Sequence, residues 1–168
     1  MHLKYRTVMI SEADQVFSML KESAEWLKEK EIDYWQDWHK PPEQYKEWIM
    51  EGIRKGEFYF ALDNDMIVGM FRLKYEDELF WGKRTDLSGY IHSFTTKRTH
   101  KGTGVGKLIL NDLEEMLYEK GAPFLRLDCG TKIDGLCKYY EKYGFEPKGE
   151  ICMNGETLQL YEKKILIS

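Results

Sequence analysis

The sequence is poor in the residues that mark several special classes of protein. It contains 3 cysteines, Cys129, Cys137 and Cys152, among 168 residues. No two of them form a CxxC pair, so the sequence predicts no zinc site and fits a reducing cytoplasm. No apolar run approaches the roughly 18 residues that a membrane span needs, and the start of the chain lacks the apolar stretch of a signal peptide. We therefore expect a cytoplasmic protein with no bound metal and no membrane partner.

Positively charged residues are also fewer than negatively charged ones. The chain has 25 Lys and Arg residues against 29 Asp and Glu residues, and its formal net charge is −4. Proteins whose main task is to wrap nucleic acid carry a basic face, so we expect no nucleic-acid partner, although one local basic site is compatible with this balance. With only 4 Pro and 14 Gly, the composition excludes collagen-like and low-complexity chains.

Apolar residues, by contrast, are plentiful. They make up 42% of the chain, and aromatic residues alone reach 14%, so we expect the chain to fold throughout. Single domains typically run to roughly 100–200 residues. The length therefore predicts one domain over residues 1–168, with a core that needs no metal or disulfide to hold it together.

The hydrophobic periodicity alternates between that of strands and that of helices. The predicted order is βααβββαβαββ, which indicates an α/β protein with a mixed sheet. Ser11 is predicted to cap the first helix, Pro41 and Pro42 to lie in the first turn of the second, and residues 76–86 to form a loop. Asn154-Gly155 predicts a tight turn in the last hairpin. The predicted strands are 3–9, 57–62, 66–75, 88–96, 124–129, 145–151 and 157–165.

The segment KRTHKGTGVGK, at 97–107, carries the clearest functional signal. Its three alternating glycines separate a predicted strand from a predicted helix, and glycine lets backbone N–H groups approach a ligand closely at a helix N-terminus. No Asp or Glu occurs from Ser88 to Asn111. These features predict an anion site suited to phosphate, with a plain tight turn as the alternative. The cations of this stretch are Lys97, Arg98, Lys101 and Lys107.

Two common phosphate loops do not fit the spacing. A Walker A loop requires a glycine where this chain has Lys101 and a Ser or Thr where it has Leu108. A Rossmann fingerprint requires a third glycine at the position of Lys107 and belongs after the first strand of a βαβ unit. The sequence therefore excludes both kinds of nucleotide site.

The glycine loop resembles instead the acetyl-CoA loop of the GNAT superfamily of N-acetyltransferases, whose pattern is Arg/Gln-x-x-Gly-x-Gly/Ala. Here it reads KGTGVG at 101–106. The run LRLDCGTKIDGLCKYYEKYGFEP, at 125–147, resembles the family's second signature, a strand and then a helix ending in Tyr-Glu-Lys-x-Gly-Phe. The order of elements agrees over nearly the whole chain. The chain departs from the pattern at Lys101, which replaces Arg or Gln, and at Ile133, where many members have Asn.

This resemblance implies a single-domain GNAT-like acyltransferase fold. Its mixed and largely antiparallel sheet would have splayed fourth and fifth strands and about four flanking helices. It also implies acetyl-CoA as the acyl donor, with the pyrophosphate on the loop backbone and the pantetheine arm paired with the fourth strand. The residues implied to bind it are Phe94, Thr95, Thr96, Lys101, Gly102, Thr103, Gly104, Val105, Gly106, Lys107 and Tyr140.

The resemblance further implies that an amine attacks the thioester directly. Tyr140 matches the tyrosine that protonates the departing thiolate in many members, and a phenol is protonated at neutral pH; a core aromatic is the alternative. On the fourth strand Tyr90, His92, Phe94 and Thr96 are predicted to share a face. His92 titrates in the useful range and is the candidate base, with a structural histidine as the alternative.

Aromatic residues indicate where an acceptor would bind. The resemblance implies that Trp35 and Trp38 line the acceptor groove and that Trp81 closes its other side, because aromatic faces suit a cationic amine; core packing is the alternative. We therefore expect an N-acetyltransferase for a small-molecule primary amine, acting as a monomer or homodimer. A protein or peptide acceptor, a catalytically silent acyl-CoA sensor of the same fold, and an interaction module remain open.

Overall fold

The computed structural model describes residues 1–166. Over these residues the chain forms seven strands and five α helices. The strands are β1 (Lys4–Thr7), β2 (Phe58–Asp63), β3 (Met66–Lys74), β4 (Gly89–Thr96), β5 (Phe124–Gly130), β6 (Glu146–Met153) and β7 (Glu156–Lys164). The helices are α1 (Ala13–Glu29), α2 (Glu43–Arg54), α3 (Glu78–Trp81), α4 (Val105–Glu119) and α5 (Asp134–Lys142).

The strands follow the order β1-β2-β3-β4-β5-β7-β6. β4 and β5 are parallel, whereas β1 with β2, β2 with β3, β5 with β7, and β6 with β7 are antiparallel. The predicted mixed, largely antiparallel sheet is therefore confirmed. Residue contacts group the chain into two compact units, Met1–Leu73 with Ser93–Leu110, and Lys74–His92 with the chain from Asn111 onward.

The first unit owes its core to helical spacing in α1 and α2. The apolar residues of α1 recur every three or four positions, which places them on one face. They meet apolar residues of α2, β2 and β3. This buried cluster contains Val16, Met19 and Leu20 of α1, Ile49 and Ile53 of α2, Phe58 and Phe60 of β2, and Met70 of β3.

The second unit contains the hairpin of β6 and β7, which joins the sheet beside β5. Asn154 and Gly155 have φ values of +51° and +78°, the left-handed conformation that two-residue hairpin turns require, so the predicted turn is confirmed. A smaller buried cluster of Trp81, Tyr90 and Leu160 lies in this unit. The buried guanidinium of Arg126, on β5, bonds the carboxylates of Asp86 and Glu162.

The parallel pairing of β4 with β5 is short. It covers Gly89 with Leu125 and Tyr90 with Arg126. β4 continues to Thr96 and β5 to Gly130, so within the described residues most of each strand extends past the paired positions. This agrees with the predicted splay of the fourth and fifth strands.

Three local predictions were wrong. Ser11 does not cap α1, because residues 10–12 form a 3₁₀ turn and the helix begins at Ala13. Pro42 occupies the N-cap of α2 instead of its first turn. The predicted loop 76–86 contains the one-turn helix α3, a length at which periodicity gives no signal. No helix in the described part of the chain is long and apolar enough to cross a membrane.

Candidate functional site

The glycine loop lies between a 3₁₀ turn at Arg98–His100 and the start of α4 at Val105. Gly102 and Gly104 have φ values of +77° and +83°, a region that L side chains rarely adopt. A Cβ built at either position would meet no heavy atom within 4 Å. The glycines are therefore required by the backbone conformation, and the space beside them is open to a ligand.

The loop leads directly into a helix N-terminus. Leu108 donates the first helical hydrogen bond, to the Gly104 carbonyl at 3.0 Å. The N–H groups of Val105 and Gly106 therefore lie in the first turn, where a helix offers them no acceptor of its own. Thr103 has a different role, since both its N–H, at 3.2 Å, and its hydroxyl, at 2.6 Å, donate to the His100 carbonyl. These two bonds brace the loop.

The stretch without acids in the sequence does have an acid beside it in space. Glu22, on α1, accepts the Arg98 N–H at 3.4 Å and lies 3.9 Å from Lys97 Nζ. The Arg98 guanidinium lies 3.9 Å from the ring centroid of Trp26, and burial lowers its pKa. Lys97 and Arg98 thus contact α1, whereas Lys101 and Lys107, both exposed, lie nearer the glycines in the chain.

β4 contains an irregularity at Ser93, whose φ is +51°. A left-handed residue inside a strand interrupts the alternation of its side chains. Tyr90, Ile91 and His92 are all buried, and beyond Ser93 it is Thr95 that is buried while Phe94 is half-buried. The alternation that would place His92 and Phe94 on one face is therefore broken between them.

His92 is enclosed by two carboxylates that sequence reasoning missed. Its Nε2 lies 2.7 Å from Asp77 Oδ2, and its Nδ1 lies 3.4 Å from Asp128 Oδ2. The Phe80 ring packs against the imidazole at 4.6 Å between centroids. β4 itself carries no acid, and acids reach this histidine from the segment before α3 and from β5. An aspartate inside the apolar run FLRLDC was the one available signal.

Burial dominates the electrostatics of this cluster. The pKa of Asp128 is raised, mainly because burial disfavours its charged form; Asp77 adds to the rise and His92 opposes it. Asp77 Oδ1 lies 3.9 Å from Lys74 Nζ. The described residues include no group of three or more His, Cys, Asp or Glu side chains suited to hold a metal ion.

Tyr140 is buried on α5 among other aromatic rings. Its ring centroid lies 5.7 Å from that of Phe145 and 6.3 Å from that of Tyr161. Burial raises its pKa well above 10, so the phenol stays protonated throughout the neutral range. Two free thiols lie nearby in the fold, with Cys137 Sγ 3.1 Å from Cys129 Sγ.

The three tryptophans proposed for the acceptor have different surroundings. Trp35 stacks on Tyr34 and Trp38 packs against Tyr45, and both tryptophans are partly buried against the core of the first unit. Trp81 is 6% exposed and packs in the small cluster of the second unit. Core packing therefore explains Trp81 more fully than it explains Trp35 or Trp38.

Comparison with known proteins gives consistent matches. The family model described as the Acetyltransferase (GNAT) family matches residues 19–145. The Bacillus subtilis protein described as "Uncharacterized N-acetyltransferase YesJ" is 26% identical over 159 residues, which cover 92% of this chain and 86% of that protein.

Solved structures give the same fold. A GNAT family acetyltransferase from Listeria monocytogenes superposes with a TM-score of 0.75 at 24% identity, over 96% of this chain and 94% of that one. The PaiA N-acetyltransferase from Thermoplasma acidophilum, solved in complex with coenzyme A, superposes with a TM-score of 0.64 at 19% identity, over 98% and 99% of the two chains. At these identities the two structures bear on the fold alone.

Proposed function

This chain belongs to the GNAT family of acetyltransferases, and from that premise we propose that it transfers the acetyl group of acetyl-CoA to a primary amine of a small molecule. We also propose that residues 1–168 form a single N-acetyltransferase domain, because β4 and α4 each contribute residues to both compact units. The family match covers the glycine loop and Tyr140. The YesJ relative bears the description N-acetyltransferase.

The observation that carries the proposal is the loop in front of α4. Gly102 and Gly104 adopt left-handed backbone with open space beside them, and the first turn of α4 presents N–H groups and the positive end of the helix dipole. These are the requirements of a pyrophosphate site, so the residues present fit acetyl-CoA. Lys101, together with Gly102, Gly104, Val105, Gly106 and Lys107, would hold its phosphates, and Phe94, Thr95 and Thr96 would offer strand backbone to its arm. The PaiA N-acetyltransferase, which shares this fold, was solved in complex with coenzyme A.

The chemistry requires two proton transfers. Acetyl-CoA, when bound, supplies a thioester carbon that a neutral amine can attack. Formation of the carbon–nitrogen bond breaks the carbon–sulfur bond, so the amine must lose a proton and the sulfur must gain one. His92 is the candidate acceptor of the first proton and Tyr140 the candidate donor of the second. Trp35 and Trp38, which are partly exposed, are the proposed contacts for the acceptor. Trp81 is a weaker candidate for such a contact because it is buried.

Thiol release from acetyl-CoA, measured against a panel of small amines and lysine peptides beside calorimetry of CoA binding, tests this function. Turnover with a small primary amine is expected. Turnover with lysine peptides alone would show that the acceptor is a peptide or protein amine instead of a small molecule. Binding without turnover on any amine would favour the acyl-CoA sensor, and absence of binding would overturn the proposal.

We predict that Gly104→Asp lowers the affinity for acetyl-CoA at least about tenfold, because it puts a negative charge beside the phosphates at a left-handed position. Isothermal titration calorimetry measures the change. Gly104→Asn introduces a side chain of similar size without the charge, in a residue type that tolerates this backbone, and should retain more affinity. Gly121→Asp, at a position with φ +73° beyond the other end of α4, is the matched control and should bind normally. Equal affinities in all four proteins would contradict a phosphate site at the loop.

We predict that activity falls at low pH through a limb belonging to His92, because only the neutral imidazole accepts a proton. The amine substrate must also be neutral and would produce a similar limb. Acceptors of different basicity separate the two, since a histidine limb stays fixed while a substrate limb moves with the amine. His92→Gln should abolish the fixed limb and leave slower turnover. Survival of that limb in the variant would make His92 structural.

A further inference from the structure

Asp77, His92 and Asp128 form a cluster of titratable side chains that is largely shielded from solvent. The side chains of Asp77 and His92 are 1% and 8% exposed, and that of Asp128 is 12% exposed. Each ring nitrogen of His92 faces a different carboxylate, one from the segment before α3 and one from β5. All three residues lie in the same compact unit.

The contact with Asp77 selects a tautomer. The 2.7 Å separation between His92 Nε2 and Asp77 Oδ2 is that of a charge-assisted hydrogen bond. A carboxylate only accepts, so Nε2 is the nitrogen that carries hydrogen. The neutral imidazole then has its lone pair on Nδ1. The ammonium of Lys74 lies 3.9 Å from the second oxygen of Asp77.

The contact with Asp128 is of another kind. The 3.4 Å between Nδ1 and Asp128 Oδ2 exceeds the usual range of a hydrogen bond, roughly 2.7–3.2 Å. This oxygen is buried and has no hydrogen-bond partner among the described residues. A proton gained at Nδ1 would bring a donor toward this oxygen, because the imidazolium would then lie beside a buried carboxylate.

We propose that Asp77, His92 and Asp128 act as one proton-accepting unit, in which Nδ1 of His92 takes the proton lost by the acceptor amine while Asp77 and Asp128 are positioning residues. This deepens the proposed acetyl transfer and rests on it. The amine N–H bond breaks and an Nδ1–H bond forms, and the proton passes to solvent after the amide product leaves. Asp77 fixes the tautomer, and Asp128 stabilises the imidazolium.

The charged and titratable groups that surround the cluster agree with this assignment. Lys74 faces Asp77, and Tyr140, from α5, interacts with Asp128. Because Tyr140 stays protonated, it adds no charge at neutral pH. Burial raises the pKa of Asp128, and the neighbouring His92 opposes that rise.

The first test needs no substrate. In the ¹⁵N-labelled protein, long-range nitrogen–proton correlation reports which ring nitrogen of each of the 4 histidines carries hydrogen, and His92→Gln identifies the His92 signals. We expect the neutral ring to carry hydrogen on Nε2. In Asp77→Asn the amide can donate to Nε2, and we expect the hydrogen to move to Nδ1. A wild-type ring protonated on Nδ1, or an unchanged tautomer in Asp77→Asn, would overturn the proposal.

The second test is kinetic. We expect Asp77→Asn to lower kcat by about 10²-fold, in the range for loss of a general base, with the KM for acetyl-CoA changed less than about twofold. We expect Asp128→Asn to move the low-pH limb of kcat to lower pH, since the imidazolium loses its buried counter-charge, and Asp128→Glu to restore part of the shift. Asp134→Asn, an exposed aspartate on α5, is the matched control. A low-pH limb unmoved in Asp128→Asn, or a kcat unchanged in Asp77→Asn, would overturn the proposal.

The outcomes separate this inference from the proposed function. A chain that turns over while its His92 carries hydrogen on Nδ1 would refute the proton-accepting unit and leave the acetyltransferase intact. A chain that binds no acetyl-CoA and acetylates nothing would refute the function. If a chain without acetyltransferase activity still carried the His92 hydrogen on Nε2, the cluster would have only a structural role. The proposal of a proton-accepting unit would then fail together with the proposed function.

Discussion

Tyr140→Phe is expected to lower kcat by about 10²–10⁴-fold, the usual contribution of a positioned acid, with little change in acetyl-CoA affinity. The substitution removes one oxygen from a ring packed against Phe145 and Tyr161, so the aromatic packing survives. Because burial keeps the phenol protonated, the variant should lose rate without losing a pH limb in the neutral range. Single-turnover rates beside calorimetry of acetyl-CoA binding measure both effects.

Tyr139→Phe is the matched control for that experiment. Tyr139 lies on the same helix, its ring is 5.6 Å from that of Tyr140, and burial raises its pKa to about 12. Its variant should keep kcat within about twofold of wild type, because Tyr139 has no part in the proposed chemistry. If both variants lose the same rate, or if Tyr140→Phe turns over normally where chemistry limits the rate, Tyr140 is a packing residue.

Arg126→Met is expected to destabilise the fold by about 3–5 kcal/mol, the usual result of removing one partner from a buried ion pair. The guanidinium donates to Asp86 at 2.7 and 3.0 Å, to Glu162 at 2.8 Å and to the Tyr90 hydroxyl at 2.7 Å. Its side chain is 2% exposed. Without it, Asp86 and Glu162 lose their guanidinium partner, and among the described residues Glu162 keeps only Lys148 Nζ at 3.9 Å. Urea unfolding at neutral pH measures the loss.

The pH dependence of that loss follows from Asp86. Hydrogen bonds from Arg126 hold the pKa of Asp86 below its ordinary value. A depressed pKa contributes stability that is present above the unfolded value, about 3.9 for Asp, and is lost as pH falls through the folded value. The difference between wild type and Arg126→Met should therefore shrink below about pH 4.

Two further variants make the Arg126 prediction specific. Arg54→Met removes an exposed arginine that pairs with Glu47 at 2.8 Å, and such pairs are worth about 0–1 kcal/mol. Adding Asp86→Asn and Glu162→Gln to Arg126→Met removes the stranded charges and should recover part of the stability. A loss equal to that of Arg54→Met would show that the buried network contributes nothing beyond a surface pair.

Much of the fold could be predicted from local patterns. The helical spacing of α1 and α4, the strands β2 and β3, and the Asn154-Gly155 turn all depend on residues close together in the chain, and all appear in the structure. Short elements were the exception. α3 has four residues, too few for a helical period to emerge from the sequence, and the 3₁₀ turn at 10–12 displaced the cap predicted at Ser11.

The glycine loop could be predicted for the same reason. Left-handed backbone at Gly102 and Gly104 is typical of residues without a Cβ, and the helical spacing of apolar residues predicts the helix that follows. The surroundings of the loop could not be predicted, because Glu22 approaches it from α1. Ser93 gave no sign of its left-handed conformation either, since serine occupies ordinary strand backbone without strain.

The order of the elements, the phosphate-suited loop and the resemblance to the GNAT family can all be predicted from the sequence, because each depends on residues that are neighbours in the chain. The surroundings of His92 follow from contacts between segments that are distant in the chain. Strand periodicity placed an imidazole on β4, but hydrogen bonds and burial depend on what arrives from elsewhere. Asp77 and Asp128 reach it from another segment and another strand. Because both residues lie far from His92 in the chain, no sequence pattern predicts their contact with it. Their distances of 2.7 and 3.4 Å from its ring nitrogens determine which nitrogen can carry hydrogen.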